Sequence, residues 1–185
     1  MKDEIICPEK IRLMKKEDLD SVMEIERRAF SKPWVRRSFE SEITLNSFAR
    51  YYVIYRRNEL LGYGGIWIVL DECHLTTLAV SGKERNKGIG SLLMYTLIAV
   101  AVKEGAVSMS LEVRPSNTPA RRLYAKFGFT IERVRKNYYI EEDAVVMSNH
   151  NLKKTFNKID IERSMEKVTD NKPVGRPWKN VEKEE

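Results

Sequence analysis

Arg85-Asn86-Lys87-Gly88-Ile89-Gly90 is the densest cluster of anion-binding residue types in the chain. It separates an apolar run ending at Val80 from a helix-patterned segment that opens at Gly88, and Ser91 follows it. Unpaired backbone N–H groups and the positive end of a helix dipole receive pyrophosphate at such a place. Glycines let those amides come close to a ligand, and Arg85 and Lys87 add charge. A solvated turn ahead of a helix has the same composition. A dinucleotide fingerprint would need Gly or Ala where Leu93 stands, and no G-x-x-x-x-G-K-[ST] run occurs.

Glu112 and Tyr124 are the acid/base candidates. Glu112 lies between Leu111 and Val113 near the end of a strand-like run, a costly place for a carboxylate without a partner. Strand alternation offers solvent as the other outlet for its side chain. Tyr124 stands beside Leu123 and near Phe127 on the next helical segment, where a core tyrosine fits as well as a proton donor. Cys7, Cys73, His74 and His150 make neither a disulfide framework nor a zinc spacing, so free thiols and no metal are expected.

These residues need a scaffold, and the pattern from Ile11 to Asn149 predicts a mixed α/β domain. Ile11 to Leu13 reads as a short strand, Glu17 to Phe30 as an amphipathic helix, and Trp34 to Leu45 as a second helix after Pro33. Ala49 to Tyr55, Leu60 to Leu70 and Cys73 to Val80 form a predicted three-stranded meander, turning at Arg57-Asn58-Glu59. Gly88 to Glu104 is the clearest helix, stopped by Gly105. Val107 to Val113 follows as a strand, Thr118 to Phe127 as a helix stopped by Gly128, and Thr130 to Tyr139 and Ala144 to Ser148 as two last strands.

With 185 residues, 42% hydrophobic and 32% charged, the chain suits one soluble domain, expected over 1–149. Residues 150–185 read as a polar, charged tail: a marginal helix between Leu152 and Val168, then a disordered tip from Asn171. No run nears the roughly 18 uncharged apolar residues of a membrane span, and Met1 to Lys10 lacks a secretory apolar run, which predicts a cytoplasmic protein without membrane contact. The net charge of +6 hints at an acidic partner, but it is spread over body and tail and predicts no specific nucleic-acid binding.

Leu78-Ala79-Val80, Arg85 to Gly90, Leu111-Glu112-Val113-Arg114-Pro115-Ser116-Asn117, Ala120 to Tyr124 and Gly128-Phe129 resemble, in order and spacing, the successive motifs of the Gcn5-related N-acetyltransferase superfamily. Phe30-Ser31-Lys32-Pro33-Trp34, the Leu-Glu-Val-Arg run and Asn137-Tyr138-Tyr139 with Glu142-Asp143-Ala144 are similar to the bacterial ribosomal-protein-alanine N-acetyltransferases. The resemblance covers roughly residues 10–149. It implies a mixed, mostly antiparallel sheet splayed open between the strand of Leu78 to Val80 and that of Glu112, flanked by helices, with acetyl-CoA in the opening. It further implies that Leu78, Ala79 and Val80 bind the pantetheine arm and acetyl group through their backbone, that Asn86 to Ser91 hold pyrophosphate, and that Asn117 contacts the coenzyme. Glu112 then accepts a proton and Tyr124 donates one. Thr76-Thr77 depart from a frequent Leu-Asn pair beside the expected acceptor channel.

Acetyl transfer needs a neutral nitrogen, an oxyanion site and a proton for the departing thiolate. An α-amine near pKa 7.7–8.0 is neutral at pH 7 a few hundred times more often than a lysine near 10.4, which favours protein N-termini as acceptors. An ordinary Glu at about 4.3 lies some 3.5 units lower, so prior removal of the amine proton is uphill by roughly 5 kcal/mol. A raised carboxyl pKa, a water relay or proton loss during attack would close that gap. Trp34, Tyr138 and Tyr139 are candidates to wall the peptide entrance, with packing as the other role for each. Arg114, Arg121, Arg122 and Lys126 could meet an outer phosphate or an acidic acceptor, or stay solvated. The expected activity is therefore acetylation of an N-terminal amine, the terminal alanine of small-subunit ribosomal protein eighteen first among acceptors. A small-amine acetyltransferase and a non-catalytic ribosome- or RNA-binding module are the rivals.

Overall fold

The computed structural model describes residues 9–139, 142–155 and 168. Seven strands form one sheet in the order β1-β2-β3-β4-β5-β7-β6. They are β1 (Lys10–Leu13), β2 (Ala49–Arg56), β3 (Glu59–Val69), β4 (Glu72–Val80), β5 (Ser108–Val113), β6 (Thr130–Tyr139) and β7 (Glu142–Asn149). Among the described strands, β4 and β5 are the one parallel pair. The helices are α1 (Leu19–Ala29), α2 (Arg36–Thr44), α3 (Ile89–Lys103), α4 (Thr118–Lys126) and α5 (Leu152–Thr155). Each element expected from the periodicity is present, with ends shifted by a few residues.

Strand alternation splits the core in two. In β2, Tyr52 and Ile54 face one core with Leu93, Leu97 and Ile98 of α3, whereas Tyr51 and Val53 face the other with Leu19 and Val22 of α1 and Phe39 of α2. The α3 helix is buried on most of its circumference, as its nearly all-round apolar sequence requires. Gly105 and Gly128, with φ of 100° and 75°, end α3 and α4 in the left-handed conformation that glycine adopts at little cost. Gly65 serves packing instead: a Cβ there would fall inside the Tyr51 ring.

Asp18 locks the first elements together. Its carboxylate, 3% exposed, accepts two bonds from the Arg12 guanidinium at 2.6 and 2.7 Å, one from the Lys15 N–H and one from the Tyr55 hydroxyl. At the other end of the chain, Leu152 is buried in the α3 core, and Val168 joins it through a bridge to Ile11. The α5 helix begins the helix expected from Leu152, while the rest of that stretch and the tip from Asn171 lie outside the described residues, as does Cys7. Cys73 is free, buried in the core, and its thiol pKa is pushed up by that burial.

Candidate active site

The parallel pairing of β4 and β5 runs from Glu72↔Ser108 to Leu75↔Leu111 and goes no further. A bulge at Thr76 ends it: Gly65 of β3 pairs with Thr77 and the next residue, Ile66, pairs with Leu75. An inserted residue bends a strand and increases its twist. Thr76 is held there by the Tyr51 hydroxyl, 3.0 Å from its Oγ1. From Thr76 to Val80, β4 pairs with β3 alone among the described strands, so a gap opens beside it.

The backbone direction at this gap follows from alternation. Ser81 N–H donates to Leu61 O on the β3 side at 2.8 Å, so the amides of Val80 and Leu78 face the gap. The Ala79 carbonyl is turned to β3, where a Cβ on Gly62 would lie only 2.7 Å from it, and its side chain joins the α1/α2 core, so of the expected trio Leu78 and Val80 direct their amides to the gap.

Above the gap, Asn86 and Gly88 take φ of 62° and 87°, folding the loop back over the start of α3, and Gly88 is the helix N-cap. The first-turn amides, including those of Ile89, Gly90 and Ser91, are left without intrahelical partners. At Gly90 a Cβ would make only ordinary contacts with Leu123 at 3.5 Å and Val80 at 3.6 Å, so packing itself does not require glycine there. Lys87 is tied to Glu84 at 3.1 Å, and Arg85 reaches back to Val80 O at 3.4 Å. On the far wall, Asn117 caps α4 by accepting from Ala120 N–H at 3.2 Å, which leaves its amide nitrogen to donate elsewhere. Nearby, Arg121 donates from Nη1 to Pro115 O while its Nε is buried with no partner among the described residues.

Glu112 and Tyr124 flank the open end from opposite faces of the sheet. Met109, Leu111 and Val113 enter the α3 core, so Glu112 and Ser110 lie on the α1/α2 face. Glu112 is neither core nor free in solvent. Its side chain is 13% exposed, with Oε2 3.1 Å from His74 Nε2 and Oε1 3.3 Å from Arg135 Nη1. The bond with His74, helped by the charge of Arg135, outweighs burial and holds the carboxyl below the ordinary carboxylate range. Of the three routes around the proton mismatch, these partners favour a water relay or proton loss during attack over a raised carboxyl pKa. Tyr124 is 7% exposed beside Phe129, and burial drives its phenol upward, so it stays protonated at any physiological pH.

Two further segments rim the site. The α1–α2 loop is anchored by Glu26, whose buried carboxylate accepts the Trp34 N–H at 2.8 Å and the Tyr63 hydroxyl. Burial raises the Glu26 pKa against the pull of those two donors. Trp34 is half-buried against Phe39, at 5.3 Å between centroids, so it packs as well as borders the opening. Opposite, the β6–β7 hairpin carries Tyr138 and Tyr139, packed edge to face at 5.0 Å. Arg114 stacks on Tyr139 at 4.0 Å and reaches Glu142 at 3.6 Å and Ser31 at 3.5 Å. It binds loop to hairpin and does not point to the phosphate end.

A model of the acetyltransferase (GNAT) family matches residues 19–129, more than half of the chain. The chain belongs to the GNAT acetyltransferase family. It is an acetyl-CoA-dependent N-acetyltransferase. A Bacillus subtilis (strain 168) protein, provisionally named a ribosomal protein bS18-alanine N-acetyltransferase, is 42% identical over 139 residues, covering 74% of this chain and 92% of that one. The Escherichia coli (strain K12) ribosomal protein bS18-alanine N-acetyltransferase is 34% identical over 137 residues, covering 71% and 90%. The crystal structure of the Escherichia coli ribosomal-protein-S18-alanine N-acetyltransferase superposes with a TM-score of 0.70 at 30% identity, over 76% of this chain and 92% of that chain.

For this GNAT enzyme the pocket fits its cosubstrate. The first-turn amides of α3 and the buried Arg121 Nε, which has no partner among the described residues, suit an anionic, hydrogen-bonding ligand. Four residues of the site were not foreseen in these roles: His74, Arg135, Glu26 and Arg114. A glutamate at an apolar helix position was the available signal for Glu26. His74 and Arg135 become neighbours of Glu112 only through strand register.

Proposed function

We propose that this enzyme acetylates the α-amine of an N-terminal alanine on ribosomal protein bS18 in the cytoplasm. The names of relatives at 42% and 34% identity support the acceptor. The observation that carries the mechanism is the position of Glu112 at the open end of the β4–β5 gap, opposite buried Tyr124. Acetyl-CoA supplies the acyl group as a thioester. Leu78 and Val80 hold it through backbone groups, Asn86, Lys87, Gly88, Ile89, Gly90 and Ser91 receive its pyrophosphate with Arg85 beside them, and Asn117 contacts it from α4. Val80 N–H faces the developing oxyanion.

Glu112 takes the amine proton. Because His74 and Arg135 hold its carboxyl low, transfer accompanies C–N bond formation, when the nitrogen becomes acidic. Tyr124 gives its proton to the departing sulfur as the C–S bond breaks; its buried phenol is a weaker acid than a free thiol near pKa 8.5, so the transfer is coupled to C–S cleavage and is not a separate downhill step. No covalent adduct with the enzyme is needed, which leaves buried Cys73 outside the chemistry. Trp34, Tyr138 and Tyr139 border the peptide path.

Intact-mass measurement tests this reading. A peptide with the bS18 N-terminus, incubated with enzyme and acetyl-CoA, is expected to gain one acetyl group at its α-amine. Faster acetylation of a lysine-bearing peptide blocked at its N-terminus, or of a polyamine, would overturn the acceptor assignment.

A further inference from the structure

Glu112 has a disposal problem. Each turnover leaves it with a proton that must depart before the next amine arrives, yet both of its oxygens are engaged and its side chain is mostly buried. We propose that His74 is a positioning and proton-carrying residue that receives this proton from Glu112 and releases it to solvent on the Ser110 side of its ring. The proposal rests on the reading of Glu112 as the base.

The geometry supplies both ends of the path. His74 Nε2 is 3.1 Å from Glu112 Oε2, and Nδ1 is 3.2 Å from Ser110 Oγ. His74 is directly opposite Ser110 in the parallel register, with Glu112 two residues further along the same face. The His74 side chain is 34% exposed, so it connects the shielded carboxylate with water. Imidazole can accept a proton at one nitrogen while releasing one from the other, and it is the side chain that ordinarily changes charge between pH 5 and 8.

The surroundings fix the ring. Trp67 of β3 pairs with His74 in register and packs on it at 6.2 Å between centroids, and its indole N–H is anchored to Glu42 of α2 at 2.5 Å. The ionisable and charged groups facing this row are Glu112 from β5, Arg135 from β6 on the other Glu112 oxygen, and Tyr138, over which Arg135 stacks. Glu72 lies two residues back on β4, and Ser148 of β7, opposite Ser110, donates to Glu132 at 2.6 Å. Glu112 thus has the Arg135 guanidinium on one oxygen and an imidazole nitrogen of His74 on the other, so the proton it takes has an acceptor at hydrogen-bond distance.

The balance closes without another reactant. The C–N bond forms and the C–S bond breaks, the amine proton passes from Glu112 to Nε2 of the neutral Nδ1–H ring, Nδ1–H is released toward Ser110 and water, and exchange with water returns the ring to its Nδ1–H form before the next turnover. Tyr124 protonates the thiolate and regains a proton from solvent.

The test uses His74→Ala and His74→Gln in the full-length enzyme, with the N-terminal peptide as acceptor and Glu112→Gln beside them. Both His74 variants are expected to lose about tenfold in kcat while the KM for acetyl-CoA is unchanged. Added imidazole at fixed pH should restore much of the rate of His74→Ala, in proportion to its concentration. The Gln variant keeps an amide able to donate to Glu112 but cannot carry a proton. If it runs at the wild-type rate, His74 only orients Glu112 and the proposal is overturned. Absence of any imidazole response in slow His74→Ala overturns it as well. Normal turnover of Glu112→Gln would instead remove the base itself, whereas a slow Glu112→Gln beside unimpaired His74 variants would defeat the His74 inference alone.

Discussion

Gly90→Ala should move stability and cofactor affinity in opposite directions. In the fold the added methyl meets Leu123 at 3.5 Å and Val80 at 3.6 Å, both ordinary contacts, and no positive φ is recorded at this residue. Gly90 is the second residue of α3, where exchanging glycine for alanine contributes about 0.5–1 kcal/mol to helix stability. For a chain of this length that raises Tm by about 1–4 °C. Under the proposed pyrophosphate role of the loop, the same methyl would stand beside the helix amides that receive the diphosphate. Loss of one charge-assisted hydrogen bond, about 1.5–3 kcal/mol, weakens binding by at least about tenfold. Thermal melts with and without acetyl-CoA measure both effects. At a hundred times the wild-type Kd, the ligand should stabilise the wild type by about 2.7 kcal/mol and the variant by about 1.4 kcal/mol or less. A variant that melts higher without ligand and gains as much from acetyl-CoA as the wild type would refute the reasoning that Gly90 is kept for the ligand.

Tyr124→Phe keeps the buried ring and removes the phenolic proton, so kcat should fall by about a hundredfold with acetyl-CoA affinity intact; a variant at wild-type kcat would show that the thiolate takes its proton elsewhere. Glu26→Ala releases the Trp34 amide and the Tyr63 hydroxyl, so the α1–α2 loop loosens and the peptide KM rises several-fold while the acetyl-CoA KM stays level, which steady-state titration of each substrate checks. Asp18→Ala should cost about 3–5 kcal/mol near neutral pH, as breaking a buried pair does. Although burial pushes the Asp18 carboxyl up, bonds from Arg12, Lys15 and Tyr55 hold it below the usual value, so its stabilisation is complete above pH about 4 and drains away as pH falls through the folded-state pKa. Urea melts should show a constant gap between wild type and Asp18→Ala at pH 5–8 that narrows in acid, and a gap undiminished in acid would contradict the assignment.

The elements were legible because their apolar periods are strong: Leu93 and Leu97 announce α3, and Tyr52 with Ile54 announces a strand lining the same core. Glu112 was legible as a candidate but not in its surroundings, because alternation says which face a residue takes and not what else occupies it. His74 shows the limit most clearly. Simple alternation back from Ala79 would put Leu75 and Cys73 on the α1/α2 face and His74 on the other. The extra residue at Thr76 reverses that phase, so Leu75 and Cys73 enter the α3 core and His74 comes to lie beside Glu112. Arg135 and Arg114 depend in the same way on long-range pairing, and the Ala79 backbone turns to β3 because consecutive strand residues alternate their backbone groups between the two edges.

The parallel seam of four residue pairs has a mechanical consequence. Strands β1–β4 and β5–β7 are two plates joined within the sheet by one short row of rungs and on one face by the core around α3, with the gap as the unfastened part of the sheet. Whatever occupies the cleft therefore acts as mortar as well as reactant, and the machine is stiffest when loaded and loosest when it must let go of its spent carrier.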